Sequence, residues 1–344
     1  MGLNIAFTGT GYISKIHAQA AQKLPDVALS AVVNHRPESM TAFADGLNIP
    51  RQYATIETLL RDGGVDAISI NTPNYLHAPQ AIAALEAGVH VMVEKPMAMN
   101  ATEARAMVDA AEKSGVLLMV AHCWRFDTEV LWLKEHADAG KLGRIVRTKS
   151  YGVHANWGPG GWFTQKLYAG GGALADMGIH ALDTTRFLLD DPLPLSVYAQ
   201  VGIHYKDFIP QGRLADVDDT GIIIVNWDNG VNSYVESGWW QPHCDGPKAA
   251  TQLYGREGFG SVFPTLLKLP NPAQKRVDEV DGGFAHPREN QCPQEMYDRQ
   301  MATFVQCVRE GRAPNPGGAE GLVNMKIIDA AYESSRTGQV VEIR

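Results

Sequence analysis

The chain has 344 residues, 45% of them apolar, enough for a sizeable core and for two domains. Acids and bases are interspersed at a net charge of −8, with no basic tract and no run of roughly 18 or more apolar residues, so nucleic-acid binding and membrane spanning have no support. The four cysteines, Cys123, Cys244, Cys292 and Cys307, form no close pair and no zinc-ribbon spacing, which suits a reducing, cytoplasmic setting.

The start, MGLNIAFTG, lacks a basic region ahead of its apolar run and reads as a first strand, Leu3 to Thr8, rather than a signal peptide. A glycine at position 2 is also where myristoylation occurs, but the glycine-rich turn so soon after favours a buried strand. GTGYISKIHAQAAQKL follows at residues 9–24. Gly9 and Gly11 occupy two fingerprint positions of a dinucleotide-binding turn, Ser14 stands at the third, and Ile13, Ile16 and Ala20 have helical spacing. Gly9 permits the tight turn, Gly11 lets backbone approach a pyrophosphate, and the helix start offers free N–H groups. Gly9, Thr10, Gly11, Tyr12 and Ile13 are therefore candidate cofactor contacts. A glycine turn without a ligand is the competing reading.

Strand and helix signals then alternate. Strands are expected at Ala28 to Val33, Val65 to Ile70, residues 90–96 and Val116 to Val120. Helices are expected at Pro37 to Ala44, Ile56 to Leu60, Pro79 to Ala87 and Ala101 to Ser114. Repeated βα units with short connections predict a mostly parallel sheet covered on both faces. Ligands of such sheets bind beyond the carboxyl ends of the strands. The polar groups there are Asn34, His35 and Arg36; Thr72, Pro73 and Asn74 with His77; Glu94 and Lys95; and His122. An acid after the second strand would mark NAD. Asn34 is neutral, while His35 and Arg36 can meet a 2′-phosphate, so NAD and NADP both stay open.

After residue 120 the rhythm changes. Thr128 to His136 reads as a helix and Gly143 to Tyr151 as a strand. A glycine- and tryptophan-rich stretch at 154–172 reads as a loop folded over a site. Strand-like runs recur from residue 194, with Asp228-Asn229-Gly230 as a hairpin signal, which predicts a mixed or mainly antiparallel sheet. Trp227, Tyr234, Trp239 and Trp240 lie in those runs, either in the core or in a contact between subunits. Late helices are expected at Met296 to Val308 and Gly321 to Ser335. His243-Cys244-Asp245 contains ligand types but reads as a loop, and no metal is expected. The domains expected are 1–123, a dinucleotide-binding Rossmann domain, and 124–344, for substrate binding and oligomerisation.

GTGYIS with His17, INTPNYLHAPQAIAALEAGVHVMVEKP at 70–96, Arg125-Phe126, GWF, GGGALADMGIHALD and LYGREG together resemble the Gfo/Idh/MocA oxidoreductases nearly end to end. The resemblance implies an α/β fold: an N-terminal Rossmann domain, then an α/β domain with a large open-faced, mainly antiparallel sheet. That sheet would join a homodimer or homotetramer. It also implies a nicotinamide cofactor, NAD or NADP, and a sugar, sugar derivative or inositol as substrate. Lys95, Asp176 and His180 then line the active site. The chemistry agrees: histidine suits the hydroxyl proton, lysine the developing alkoxide, and Asp176 and His180 are four apart on one helical face if 174–187 is helical. Lysine can also serve as the base, so the two roles stay exchangeable. The glycines at 170–172 are expected to let backbone approach the site where a side chain would intrude.

Many relatives carry tryptophan then arginine before the triple glycine, whereas this chain has Trp162-Phe163. That favours a neutral sugar or polyol over a phosphorylated one. Trp157 and Trp162 are candidate stacking surfaces for a sugar ring, and His154 is a hydroxyl partner. With His122, Arg125, Lys95, Asp176 and His180 they form the expected substrate set. The alternatives are a non-catalytic dinucleotide-binding sensor or co-repressor, and an NAD-dependent glycoside hydrolase on the same fold.

Overall fold

Buried apolar runs and helix-capping signals place the elements of the computed structural model, which describes residues 2–208, 215–242, 249–285 and 292–343. The chain forms two compact units, one of residues 1–123 with 292–325, the other of residues 124–291 with 326–344.

In the first unit six strands pair in parallel: β1 (Leu3–Thr8), β2 (Val27–Val33), β3 (Arg51–Tyr53), β4 (Ala67–Ile70), β5 (His90–Glu94) and β6 (Leu118–Ala121). Their order, β3-β2-β1-β4-β5-β6, reverses between β1 and β4, which is where a doubly wound sheet opens a crevice for a dinucleotide. The connecting helices are α1 (Tyr12–Gln22), α2 (Pro37–Leu47), α3 (Ile56–Asp62), α4 (His77–Glu86) and α5 (Ala101–Ser114). Their ends follow local chemistry. Pro37 opens α2, Thr55 and Asn100 cap α3 and α5 through their side chains, and Gly115 closes α5 in the left-handed region.

The second unit opens with α6 (Thr128–Asp138), β7 (Ile145–Ala155) and the short α7 (Lys166–Ala169). A π-helical turn, Leu174–Gly178, runs into α8 (Ile179–Leu188). Then come β8 (Pro194–Gly202), β9 (Thr220–Trp227), β10 (Asn232–Gln241), β11 (Ala249–Gly255), β12 (Phe259–Val262), β13 (Leu266–Asn271) and β14 (Arg276–Asp281). α9 (Gln294–Glu310) belongs to the first unit, where the Gln294 amide donates to the Ile16 carbonyl of α1 at 3.2 Å. α10 (Gly318–Thr337) begins in the first unit and ends in the second, and β15 (Val341–Glu342) closes the chain. A single linear cut after residue 123 therefore places 292–325 differently from the folded chain.

The nine-stranded sheet has the order β14-β13-β12-β11-β7-β10-β9-β8-β15 and is antiparallel except for the β7–β10 pair. The turn at Asp228-Asn229-Gly230 joins β9 to β10, as its sequence predicts. On β9, Gly221, Ile223 and Val225 are buried while Ile222 and Ile224 are exposed, the alternation of a sheet covered on one face. Trp227 and Trp239 are buried in the core.

Candidate active site and cofactor cradle

The glycine turn sits at the crevice. Gly9 has φ +81°, and a Cβ there would lie 2.6 Å from the Asn71 carbonyl oxygen at the end of β4, so only glycine fits. A Cβ on Gly11 would enter open space. Gly11 precedes α1, whose first turn has no side-chain cap, so its N–H groups remain available to a phosphate. Tyr12 is exposed and Ile13 half-buried beside them. Ser14 is fully buried and donates to the Gly9 carbonyl at 2.8 Å, bracing the turn in a way that a third glycine would not. This geometry fits a dinucleotide.

At the end of β2 the Asn34 amide donates to Thr10 Oγ1 at 2.6 Å and to Ser39 Oγ at 2.8 Å. His35 and Arg36 are exposed next to it. Ser39, in the first turn of α2, is a member of this cluster that motif reading did not single out.

Beneath the cradle runs a buried polar chain. Asn71 Nδ2 approaches Ser14 Oγ at 3.5 Å and donates to Ser69 Oγ at 3.1 Å, and Ser69 Oγ meets His17 Nδ1 at 3.0 Å. His17 Nε2 lies 3.2 Å from Glu94 Oε1, an ion-pair contact rather than an aligned hydrogen bond. Glu94 Oε2 accepts the Lys95 backbone N–H at 3.2 Å. Glu94 thus faces inward and braces the strand end that carries Lys95. His77 is buried with Nδ1 2.8 Å from the Pro96 carbonyl and Nε2 2.8 Å from the Thr72 carbonyl. Both nitrogens face backbone carbonyls, and the neutral ring donates to one of them, so His77 ties the two loops together rather than presenting an edge to a ligand. Thr72 donates to Gln80 Oε1 at 3.1 Å, Pro73 is half-buried, and Asn74 is buried. His122 is buried, with Nε2 3.3 Å from the Asn324 amide.

In the second unit Asp176 sits on the π-helical turn and His180 in the first turn of α8. An i→i+5 turn replaces the regular α-helix expected across 174–187, a deviation frequent at functional sites. Asp176 Oδ2 accepts the Trp239 indole N–H at 3.0 Å. The His180 ring stacks on Trp124, centroids 4.9 Å apart and planes 16° from parallel. Both tryptophans are buried, and they come from either side of the 170–180 segment in the sequence.

Residues 3–122 match the family described as "Oxidoreductase family, NAD-binding Rossmann fold", residues 130–259 its "GFO/IDH/MocA C-terminal domain", and residues 270–343 its "C-terminal alpha/beta domain". The chain belongs to the Gfo/Idh/MocA oxidoreductases. It is 30% identical to D-xylose 1-dehydrogenase (NADP(+)) 2 of Haloferax volcanii over 91% of each chain. It is 28% identical to 1,5-anhydro-D-fructose reductase of Ensifer adhaerens over 89% of this chain and 88% of that one. Among solved structures it is similar to a levoglucosan dehydrogenase in complex with NADH, at 25% identity and a TM-score of 0.88, with both chains covered in full. As a Gfo/Idh/MocA oxidoreductase it is a nicotinamide-dependent enzyme, and the cradle at Gly9 and Gly11 belongs to its NAD-binding domain.

Other expected contacts fall out differently in this oxidoreductase. Arg125 is 2% exposed and grips Asp183 through Nε at 2.7 Å and Nη2 at 2.8 Å, and Asp191 through Nη1 at 2.8 Å and Nη2 at 2.7 Å. Both edges of the guanidinium fork serve carboxylates, so Arg125 is a bolt under α8 rather than a substrate contact. His154 and Trp157 meet edge to face at 4.2 Å, with Trp157 exposed, and Trp162 stacks on Phe163 at 3.8 Å. Among the described residues no group of three His, Cys, Asp or Glu side chains is arranged to hold a metal, and none of the helices is long and apolar enough to cross a membrane. His243-Cys244-Asp245 lies outside the described residues.

Proposed function

We propose that this enzyme moves a hydride between a nicotinamide cofactor and a hydroxyl or carbonyl carbon of a neutral sugar, sugar derivative or inositol. The supporting observation is the braced segment at 170–180, in which Trp239 holds Asp176 and Trp124 holds His180 beside one another. The names of its relatives, which include a D-xylose 1-dehydrogenase, a 1,5-anhydro-D-fructose reductase and inositol 2-dehydrogenases, support the substrate class. They lend none to a sensor or a glycoside hydrolase.

A nicotinamide held there would supply the hydride acceptor or donor. His180 takes the substrate's hydroxyl proton during oxidation and gives it back during reduction. Lys95 stabilises the developing alkoxide, and Asp176 orients the substrate hydroxyl or the histidine. Exposed Trp157, edge-on to His154, offers an apolar face to a sugar ring while His154 pairs with a hydroxyl. Gly9 to Ile13, Asn34 to Arg36 and Thr72 to Asn74 hold the dinucleotide.

Turnover of a panel of sugars and inositols, followed by the absorbance of reduced nicotinamide with NAD and NADP, tests the reading. His180→Ala and Lys95→Ala should each lower kcat about 10² to 10⁴-fold while the cofactor still binds. Loss of the pH limb in His180→Ala alone assigns the proton to histidine. Near-wild-type turnover of His180→Ala would overturn the assignment.

The open face of the nine-stranded sheet, with Ile222 and Ile224 exposed, supports a homodimer or homotetramer. A monomeric mass by light scattering at micromolar concentration would count against it. The scattered cysteines support a cytoplasmic setting, which cell fractionation checks.

A further inference from the structure

Gly171 and Gly172 are explained by two residues remote in sequence. The Gly172 N–H donates to Asp218 Oδ1 at 2.9 Å, the Leu174 N–H to Asp218 Oδ2 at 2.8 Å, and the Ala173 N–H to the Asp218 carbonyl at 2.8 Å. Three successive amides converge on one aspartate that is 7% exposed. Tyr332 of α10 completes the arrangement: its hydroxyl donates to Asp218 Oδ1 at 2.7 Å and accepts from the Gly172 N–H at 3.2 Å. A Cβ on Gly172 would lie 1.8 Å from the Asp218 carbonyl oxygen, and one on Gly171 would lie 2.1 Å from the Tyr332 hydroxyl. The space that glycine leaves is thus filled by Asp218 and Tyr332.

The same corner fixes the partner of Asp176. The Trp239 backbone N–H donates to the Asp219 carbonyl at 2.7 Å, and the Trp239 ring packs with Ala173 and Val217 in one buried cluster. Asp218 therefore holds the backbone two residues before Asp176, while its neighbour Asp219 holds the backbone of Trp239, whose indole donates to the Asp176 carboxylate. An ordinary capping carboxylate would anchor one end of a helix. Here the Asp218-Asp219 pair anchors both the turn that carries Asp176 and the strand that orients it.

We propose that Asp218 and Tyr332 are positioning residues of the hydride-transfer reaction. They act through amides 172–174 to place Asp176, and through the following turn His180, against the substrate. The inference rests on the assignment of Asp176 and His180 to the active site. Burial and the neighbouring Asp218 hold the Tyr332 phenol well above its ordinary pKa, so it remains a donor throughout the working pH range.

The test uses the full chain with its nicotinamide cofactor and the best substrate from the sugar and inositol panel. Tyr332→Phe removes one hydroxyl and leaves the ring. Asp218→Asn keeps the shape but turns an NH₂ group toward backbone donors. The expected result for Tyr332→Phe is a fall in kcat of about 10- to 100-fold, the scale of a small misplacement of reacting groups. Substrate KM and the dissociation constant for NADH should stay within about threefold. The variant should remain folded at the assay temperature. In the Asp218→Asn/Tyr332→Phe double variant the two losses should be less than multiplicative, because both act on one turn. Tyr332→Phe with wild-type kcat overturns the proposal, as does a loss of rate that merely follows the fraction unfolded. His180→Ala separates the two readings. If it is inactive while Tyr332→Phe is fully active, only the positioning role fails. If it turns over normally, the site assignment fails and takes this proposal with it.

Discussion

His17 and Glu94 face one another at 3.2 Å inside the Rossmann unit, and this pair braces the strand end from which Lys95 projects. His17 comes from α1, directly behind the dinucleotide turn, so the cofactor cradle and the lysine share one buried support. Replacing Glu94 with Gln keeps an acceptor for the Lys95 N–H but removes the charge beside His17. The Lys95 N–H bond then goes from a charged acceptor, worth about 1.5–3 kcal/mol, to a neutral one, worth about 0.5–1.5 kcal/mol. Glu94→Gln should therefore lower the unfolding free energy by about 1 kcal/mol and reduce kcat more than cofactor affinity. Urea unfolding with parallel kinetics checks this, and an unchanged stability would show that the contact carries no weight.

Arg125 offers a larger effect. Arg125→Ala would take the guanidinium from Asp183, whose side chain is 1% exposed, and from Asp191, which keeps Arg186 Nη2 at 3.9 Å. Removing one partner of a buried ion pair costs about 3–5 kcal/mol. Arg125→Lys should recover only part of that, because an ammonium cannot span both carboxylates bidentately. Denaturant midpoints for the two variants measure the difference. A substrate-contact role would instead raise KM with stability intact.

Asn34 donates to the Thr10 and Ser39 hydroxyls. Asn34→Asp reverses those bonds without a steric change, since both hydroxyls can donate to a carboxylate. It adds a charge that repels a 2′-phosphate and accepts from ribose hydroxyls. The ratio of dissociation constants for NADPH and NADH should rise about tenfold or more, roughly 1.4 kcal/mol. Titrating both cofactors by fluorescence tests it, and an unmoved ratio would show that position 34 does not face the adenosine ribose.

Burial lowers the pKa of His77, against the pull of the Pro96 and Thr72 carbonyls and the Glu94 charge, with Lys95 adding to the lowering. The folded chain thus binds this proton less readily than the unfolded chain, whose histidine titrates near 6.5. The sign follows: the contribution of His77 to stability is full above about pH 6.5 and is lost as pH falls below it. His77→Gln removes the titration, so its stability should fall less steeply than wild type between about pH 7 and pH 5. Urea midpoints across that range decide it, with equal slopes as the contrary outcome.

Sequence alone determined much of this protein, because its signals are local. Leu3–Thr8 and Ala101–Ser114 have the bounds that their apolar spacing and caps predict, and the hairpin at Asp228-Asn229-Gly230 follows from turn chemistry. The glycine turn, Lys95, Asp176 and His180 were legible as motifs. The edge strand β3, three residues with no apolar alternation, was not, and neither were β13 and the largely exposed β14. These strands exist through pairing with neighbours rather than through a pattern of their own.

The partners were decided by tertiary structure. Arg125 could be read as a charged group near a site, but Asp183 and Asp191 lie 58 and 66 residues away. The triple glycine announced a close approach, while what approaches comes from Asp218, 46 residues on, and Tyr332, 160 residues on. A missing Cβ is a property of one residue, visible wherever it stands in the chain. The atom that occupies the vacated space is set by packing among segments whose encounter leaves no periodic trace in either of them.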